Sequence, residues 1–175
     1  MLANILIIVA ILIALPFIAS LFIKKEYAVE REIIIYRPKH EVFEFLKHIK
    51  NQDLFSKWNQ MDPDLQKEFI GTDGTEGFIY AWKGNKKAGE GEQEIKSIIE
   101  GERINTELRF IKPWKSTGNA YLITEAYDEH NTKVKWGIYG ENNYPGNIMN
   151  LFMNKLIGND LDISLNNLKH VLEKQ

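Results

Sequence analysis

The chain has 175 residues, of which 44% are hydrophobic and 26% are charged, and its formal net charge is −2 at pH 7. This size and composition are typical of one globular domain with its own core. No block of Lys and Arg is present, which argues against nucleic acid as a partner, because phosphates are bound by concentrated positive charge. The chain has no cysteine, so disulfides, thiol nucleophiles and thiolate metal sites are excluded.

The first 23 residues carry no charged side chain, and Lys24 and Lys25 follow them. About 20 apolar residues suffice to cross a hydrocarbon core of about 30 Å, so residues 1–25 are predicted to form a transmembrane anchor. A cleaved signal peptide is the alternative, but no basic residue precedes the apolar stretch. The two flanking lysines predict a single-pass membrane protein whose remaining part, residues 26–175, is a cytoplasmic domain.

The predicted domain begins with a strand and two helices. Residues 27–36 are β-prone and end before Pro38, which indicates a first strand. Four apolar residues then fall on one helical face: Val42, Phe43, Leu46 and Ile49. A second, short helix is predicted over residues 53–58, before a turn-rich connection.

Between residues 65 and 142, short β-prone runs alternate with turn residues at hairpin spacing. Within these runs one set of alternating positions is apolar: Phe78, Tyr80 and Trp82; Ile104, Thr106, Leu108 and Phe110; Val134, Trp136 and Ile138. The pattern predicts about six strands with one apolar, aromatic face and one hydrated face. With the first strand, the antiparallel sheet has about seven strands.

The end of the chain is predicted to be one long helix. Its apolar stripe consists of Met149, Phe152, Met153, Leu156, Leu161, Leu165, Leu168 and Leu172. A kink or local break is expected at Gly158-Asn159. The fold class is therefore α+β, with a curved antiparallel sheet around a long C-terminal helix.

Several short stretches sharpen this prediction. They are Pro38, Val42 and Phe43; Trp58; Tyr80-Ala81-Trp82-Lys83-Gly84-Asn85; Gly89-Glu90-Gly91; Phe110-Ile111-Lys112-Pro113; Ala120 and Glu125; and Leu151-Phe152-Met153 with Gly158 and Asp160. Together with the element order, they resemble the polyketide cyclase/dehydrase branch of the START-like (SRPBCC) superfamily, over residues 26–172. The resemblance implies a helix-grip fold with an internal cavity.

Large side chains that point inward are the candidates for the cavity lining: Trp58, Tyr80, Trp82, Phe110, Tyr121, Trp136, Met149 and Met153, with Trp114 as a further candidate. A pocket of this chemistry suits a flat or lipid-like apolar ligand. The alternative is that these side chains pack a solid core.

Catalytic and metal motifs are missing from the sequence. The four histidines form no HExxH pattern and no serine lies in a GxSxG elbow, so no metal, cofactor or nucleophile is predicted. Glu90, Glu92 and Glu94 share one strand face, which is expected to be hydrated because unpaired buried carboxylates are costly. An outward-facing position is also expected for Glu125.

Three functions remain open from the sequence. The first is a membrane-anchored module that binds a small hydrophobic or lipid-like ligand. The second is a cyclase- or dehydratase-type enzyme, for which Tyr80, Tyr121 and Glu125 are the nameable acid–base candidates. The third is a protein-interaction or stress-response domain. Binding is favoured over catalysis, because the resemblance is specific for fold and weak for chemistry.

Overall fold

The computed structural model describes residues 2–174. Its α-helices are α1 (Leu2–Ser20), α2 (Lys39–Lys47) and α3 (Asn150–Glu173), and two 3₁₀ helices span Ile49–Leu54 and Gly146–Met149. The strands are β1 (Glu26–Ile35), β2 (Gln66–Ile70), β3 (Ile79–Lys83), β4 (Glu90–Ile99), β5 (Arg103–Lys112), β6 (Ser116–Ala126) and β7 (Thr132–Glu141).

All seven strands form one antiparallel sheet in the order β1-β7-β6-β5-β4-β3-β2. Strands β2 to β7 form a meander in which consecutive strands are neighbours. Strand β1 is the edge strand next to β7, and its Val29 lies opposite Ile138. The predicted sheet of about seven strands around a long C-terminal helix is thus confirmed. The alternation of apolar and polar residues also predicted correctly which face of the sheet is buried. The buried residues on that face include Phe78, Tyr80, Ile104, Val134 and Trp136.

The core lies between the concave face of this sheet, α2 and α3. The four residues predicted to share one helical face, Val42, Phe43, Leu46 and Ile49, are fully buried. The second helix predicted over residues 53–58 starts earlier and is a 3₁₀ helix over Ile49–Leu54. Its start is fixed by Asp73, whose Oδ1 accepts a 2.8 Å hydrogen bond from the backbone N–H of Ile49.

Helix α3 is continuous, so the local break predicted at Gly158-Asn159 is wrong. Gly158 is buried and lies against the guanidinium of Arg31, which occupies the place that a Cβ would take. The Arg31 side chain crosses α3 at this point, where its Nε donates to Asp162 Oδ2 at 3.1 Å and its Nη2 to Asn154 Oδ1 at 3.0 Å. The glycine therefore permits a close approach between β1 and α3.

This close approach predicts a coupling between Arg31 and Gly158. Gly158→Ala is expected to displace the guanidinium and break its bonds to α3. In an Arg31→Ala background the guanidinium is absent, and the same change improves helix propensity by about 1 kcal/mol. A double-mutant cycle from urea unfolding should show a coupling of at least about 1 kcal/mol. Additive effects would contradict the contact.

Helix α1 corrects the prediction for the N-terminal segment. The helix ends at Ser20, and residues 21–23, which were counted in the span, lie in a turn after it; Met1 lies outside the described residues. In the described part of the chain no helix combines the length and apolarity of a membrane span. The predicted single-pass membrane localisation is therefore wrong, and the cytoplasmic assignment that depended on it falls with it.

The connection from α1 to β1 is held by the 3₁₀ helix Gly146–Met149 and by the first residue of α3. Asn147 is buried, and its Nδ2 donates to the carbonyl oxygens of Ser20 at 2.7 Å and Ile23 at 2.8 Å. Asn150 Nδ2 donates to the carbonyl oxygens of Lys24 and Lys25 at 2.9 and 2.7 Å. These bonds fix the entry of the chain into β1 next to the cavity described below.

Candidate ligand-binding cavity

A cavity of about 420 Å³ lies between the concave face of the sheet and the first half of α3. Its walls come from β3 to β7, from the segment after the 3₁₀ helix at Ile49–Leu54, and from Met153 and Ile157 of α3. The buried leucines of α3 begin at Leu161, whereas Met153 and Ile157 of its first half border the cavity. The sheet and a single helix thus leave one end of the interior unfilled.

Most of the predicted lining residues meet at this cavity. Six of the eight line it: Trp58, Tyr80, Trp82, Phe110, Trp136 and Met153. The further candidate Trp114 lines it as well. The structure brings these residues together from five separate segments of the chain.

The structure places the other two predicted residues elsewhere. Tyr121 lies on the opposite face of β6, because its neighbours Ala120 and Leu122 are the buried, inward residues of that strand. Its hydroxyl donates to Glu30 on the outer face, and burial with this bond raises the pKa of Tyr121 to about 12. Met149 belongs to the 3₁₀ helix before α3, is 45% exposed and does not line the cavity.

The aromatic wall is built from edge-to-face contacts. Trp136 packs against Phe55 and Trp58 with ring centroids 5.7 Å apart in both pairs, at interplanar angles of 67° and 81°. Trp82 packs against Phe110 at 6.0 Å and 78°. Such pairs stabilise each other beyond simple burial, by about 0.5–1.5 kcal/mol. Gly91 makes room for the Trp82 ring, since a Cβ there would lie 2.7 Å from its Cζ2 atom.

The cavity has a closed end and an open end. Tyr80 and Trp136 at the closed end are 2% and 3% exposed. Trp114 on the β5–β6 turn is 80% exposed, and Lys87 in the β3–β4 loop is also exposed. Both loops lie at the same end of the strands, because Gly91 of β4 lies opposite Phe110 of β5, which lies opposite Ser116 of β6. The mouth is therefore at these loops.

Asp53 organises the polar groups next to the closed end. Its Oδ1 accepts hydrogen bonds from the hydroxyl of Tyr80 at 2.6 Å and from Asn59 Nδ2 at 2.9 Å, and its Oδ2 pairs with Lys67 Nζ at 2.7 Å. Burial, and then the bond to Asp53, raises the pKa of Tyr80 far above that of a free tyrosine. Tyr80 is thus neutral, and its hydroxyl proton is held in the hydrogen bond to Asp53.

The raised pKa of Tyr80 predicts an alkaline loss of stability. The unfolded chain loses the tyrosine proton from about pH 10, whereas the folded chain keeps it to higher pH. The stabilisation is complete below about pH 10, and the free energy of unfolding falls above it by up to about 1.4 kcal/mol per pH unit. Tyr80→Phe should make this decline shallower in urea unfolding at pH 8 to 11. An unchanged slope would count against the buried hydroxyl.

Sequence reasoning missed two polar residues of the lining, Gln52 and Ser56. They are 3% and 1% exposed, and Gln52 Nε2 and Ser56 Oγ have no hydrogen-bond partner in the described chain. No sequence pattern marks them, because an isolated Gln and Ser in a short polar segment have the composition of any surface turn. The spacing of four residues is the one signal that could have placed them together.

The carboxylates of β4 lie on the outer, convex face, as expected. Arg109 of β5 pairs with Glu92 at 3.0 Å and Glu94 at 2.6 Å, while Lys112 pairs with Glu90 at 2.7 Å. The bonds from Arg109 and Lys96 lower the pKa of Glu94. Glu125 is likewise paired with Lys135 at 2.7 Å outside the cavity. These groups form a solvated ion-pair network that contributes modestly to stability.

Metal ligands do not assemble at the cavity or elsewhere on the described surface. Among residues 2–174, no three His, Asp or Glu side chains lie close enough together to hold a metal ion. The lining groups that carry charge are Lys87 and Glu141, and both are exposed at the mouth. The cavity is thus an apolar compartment with a few neutral polar groups.

A seven-stranded antiparallel sheet that grips one long C-terminal helix, with a cavity between them, defines the helix-grip fold. Comparison with solved structures confirms this fold. Truncated norcoclaurine synthase from Thalictrum flavum superposes with a TM-score of 0.65 at 8% identity, covering 87% of this chain and 96% of the other. Ara h 8.0201 gives 0.56 at 14% identity, covering 86% and 99%.

A protein of unknown function from Staphylococcus aureus has the same fold, with a TM-score of 0.62 at 12% identity and coverage of 86% of this chain and 96% of the other. No protein-family model matches the sequence, and no curated protein matches it. At these identities the likeness establishes the fold alone. The function must be argued from the site.

Proposed function

We propose that this protein is a binding module that holds a small, largely apolar molecule in its internal cavity. The observation that carries the proposal is the cavity itself. Its volume of about 420 Å³ lies in the range of about 300–1,000 Å³ in which proteins hold small molecules. Indole and phenyl rings form its walls, and one open end gives access.

The lining supports an apolar ligand more than a charged one. Aromatic and aliphatic side chains such as Trp58, Leu108 and Ile157 face the cavity, and its charged groups stay at the mouth. Transfer of apolar surface from water into such a site is favourable by about 25 cal/mol per Å². Flat rings can also stack or meet edge-to-face with the tryptophans. A flat or lipid-like molecule fits both features.

The structure offers less support for the enzyme alternative. Of its three acid–base candidates, Tyr121 and Glu125 lie on the outer face with partners of their own. The third, Tyr80, lines the cavity, but its hydroxyl is bonded to Asp53. A general acid must reach its substrate within about 3 Å with a proton to give. Binding without chemistry is therefore the reading we favour.

The likeness to other helix-grip proteins supports a small ligand in this place. One matched structure is norcoclaurine synthase from Thalictrum flavum in complex with dopamine and hydroxybenzaldehyde, with a TM-score of 0.63 at 8% identity. Those are small aromatic molecules. The motifs shared with the polyketide cyclase/dehydrase branch support a place for this chain in that branch, without an activity.

Residues 26–175 are proposed to carry this function as one domain. Strand β1 starts at Glu26, and every residue that lines the cavity lies after that point. A chain that starts at Glu26 should retain cooperative unfolding and probe binding. Aggregation or a disordered circular dichroism spectrum would show that the preceding segment, held by Asn147 and Asn150, is part of the folding unit.

The proposal can be tested on the full chain. All four tryptophans line the cavity, so their emission should change when an uncharged apolar probe such as N-phenyl-1-naphthylamine binds saturably at one site. Native mass spectrometry of protein purified from its own host should show a bound small molecule. Lack of saturable binding, together with a ligand-free mass, would remove the binding function and favour a protein-interaction role.

A further inference from the structure

Three lysines lie on one side of the cavity mouth and are called the basic rim below. Lys86 and Lys87 belong to the β3–β4 loop, and Lys115 belongs to the β5–β6 turn. All three residues are exposed, and Lys87 also lines the cavity. The two loops approach each other closely, because a Cβ on Gly89 would lie 2.5 Å from the carbonyl oxygen of Lys112. The lysines of both loops therefore border the same opening.

The charge of the basic rim is not paired within the described chain. Among residues 2–174, no Asp or Glu oxygen lies within 4.0 Å of the ammonium groups of Lys86, Lys87 or Lys115, whereas the neighbouring Lys112 pairs with Glu90 at 2.7 Å. The chain as a whole has a net charge of −2, so a basic composition does not explain this concentration of positive charge. An anion at the mouth would be attracted by it.

The loop that carries two of these lysines is held in one conformation by hydrogen bonds. Asn85 Oδ1 accepts from the backbone N–H groups of Lys87 at 2.8 Å and Ala88 at 3.2 Å. The backbone N–H of Asn85 donates to Asp62 Oδ2 at 2.6 Å. Trp82 Nε1, in the cavity wall, donates to the Ala88 carbonyl oxygen at 3.1 Å. Because the loop is already fixed to the wall, little backbone ordering opposes the binding of an anion there.

The carboxylates of the mouth limit where an anion can bind. Glu141 lines the cavity from β7 and lies opposite Glu26 of β1, so that side of the mouth repels an anion. Asp62 contacts the loop of the basic rim, but its two oxygens accept hydrogen bonds from the backbone N–H groups of Asp64 and Asn85. Its single negative charge does not balance three lysines. An anionic group is therefore favoured at the basic rim.

We propose that the ligand is an amphipathic anion, with an apolar body that fills the cavity and a carboxylate or phosphate head that binds the basic rim. This inference rests on the proposed binding function and adds the chemical class of the ligand. Lysine ammonium groups bind both kinds of head as point charges. At the open mouth the head stays hydrated, so its charge does not enter the apolar interior, where burial would be costly.

Decanoate and 1-decanol test the proposal on the full chain, because they share an apolar tail and differ in the charge of the head. Their affinities are measured at pH 8 by displacement of bound N-phenyl-1-naphthylamine. In the Lys86→Gln/Lys87→Gln/Lys115→Gln variant, the ratio of decanoate to decanol affinity should fall at least about fivefold, the effect of about two exposed ion pairs. Decyl phosphate, titrated in parallel, distinguishes a phosphate head from a carboxylate head by the size of its response.

Lys39→Gln/Lys50→Gln/Lys174→Gln is the matched control. It removes the same charge from lysines that lie outside the cavity lining and the mouth loops, and it should leave the ratio within about twofold of wild type. Urea unfolding verifies that both variants are folded. If the rim variant is not, salt decides on wild type: a rise from about 20 to about 500 mM NaCl should lower the same ratio, because salt screens exposed charges.

The outcomes separate the two proposals. If both ligands bind wild type and neither the rim variant nor salt changes the ratio, the role of the basic rim is overturned while the binding function stands. Inorganic phosphate should not displace the probe, because it has no apolar body; displacement by phosphate alone would also overturn the proposal. If neither the probe nor the two ligands bind saturably to folded wild type, the binding function fails and the inference fails with it.

Discussion

Gly118→Phe is expected to lower the affinity for apolar probes at least tenfold. Gly118 lines the cavity on β6, and a Cβ there would make ordinary contacts, the nearest being Tyr27 Oη at 3.4 Å. The backbone can thus accept a side chain, and a phenyl ring at this position would occupy ligand space. Removal of a strand glycine also favours the strand. Fluorescence titration measures the affinity, and urea unfolding verifies the fold.

Asn119→Phe is the matched control for this blocking variant. Asn119 is the next residue on the same strand, and its side chain lies on the convex face, where a phenyl ring cannot enter the cavity. It should bind the probe as wild type does. If Gly118→Phe bound the probe equally well, the probe would have to sit elsewhere on the protein.

The largest loss of stability is expected from Trp136→Ala. Trp136 is 3% exposed and packs against both Phe55 and Trp58, so truncation should lower the free energy of unfolding by about 3–5 kcal/mol, the usual range for a buried aromatic. A loss of this size approaches the total stability of many domains. Urea unfolding followed by circular dichroism measures it independently of tryptophan emission.

Trp114→Ala is the variant to compare with Trp136→Ala, because Trp114 lies at the mouth of the cavity. Trp114 is 80% exposed, so its truncation should change stability by no more than about 0.5 kcal/mol. Because Trp114 also lines the cavity, the variant should bind probes more weakly while it stays folded. Equal losses of stability for the two variants would contradict the description of a closed and an open end.

Much of the fold could be predicted from local patterns. Alternation in residues 78–82, 104–110 and 134–138 identified the inward face, because a strand that is buried on one side needs apolar residues at every second position. Helical periodicity identified the second half of the α3 stripe, from Leu161 to Leu172, but it was wrong for Phe152 and Leu156, which are both 53% exposed. The local pattern was less reliable at Gly158. The low helix propensity of glycine predicted a break in the helix there, whereas the structure shows that the glycine makes room for Arg31 of β1.

The site was harder to predict than the fold. Tyr121 was chosen as a large aromatic residue, but its position between Ala120 and Leu122 sets its face. Met149 fits the helical period yet precedes α3. Gln52 and Ser56 were missed, because their lack of hydrogen-bond partners is a property of the surrounding packing. No periodicity reports which polar atoms remain unpaired.

The amino-acid sequence by itself determined the order of strands and helices, the apolar face of the sheet and the absence of thiol chemistry. These depend on propensity, alternation and residue type, which act over a few neighbours. Tertiary structure alone decided the end of α1 at Ser20, the unfilled space beside Met153 and the lack of hydrogen-bond partners for Gln52 Nε2 and Ser56 Oγ. These depend on how segments distant in the chain pack, since a cavity remains where the curvature of the sheet exceeds what one helix can fill.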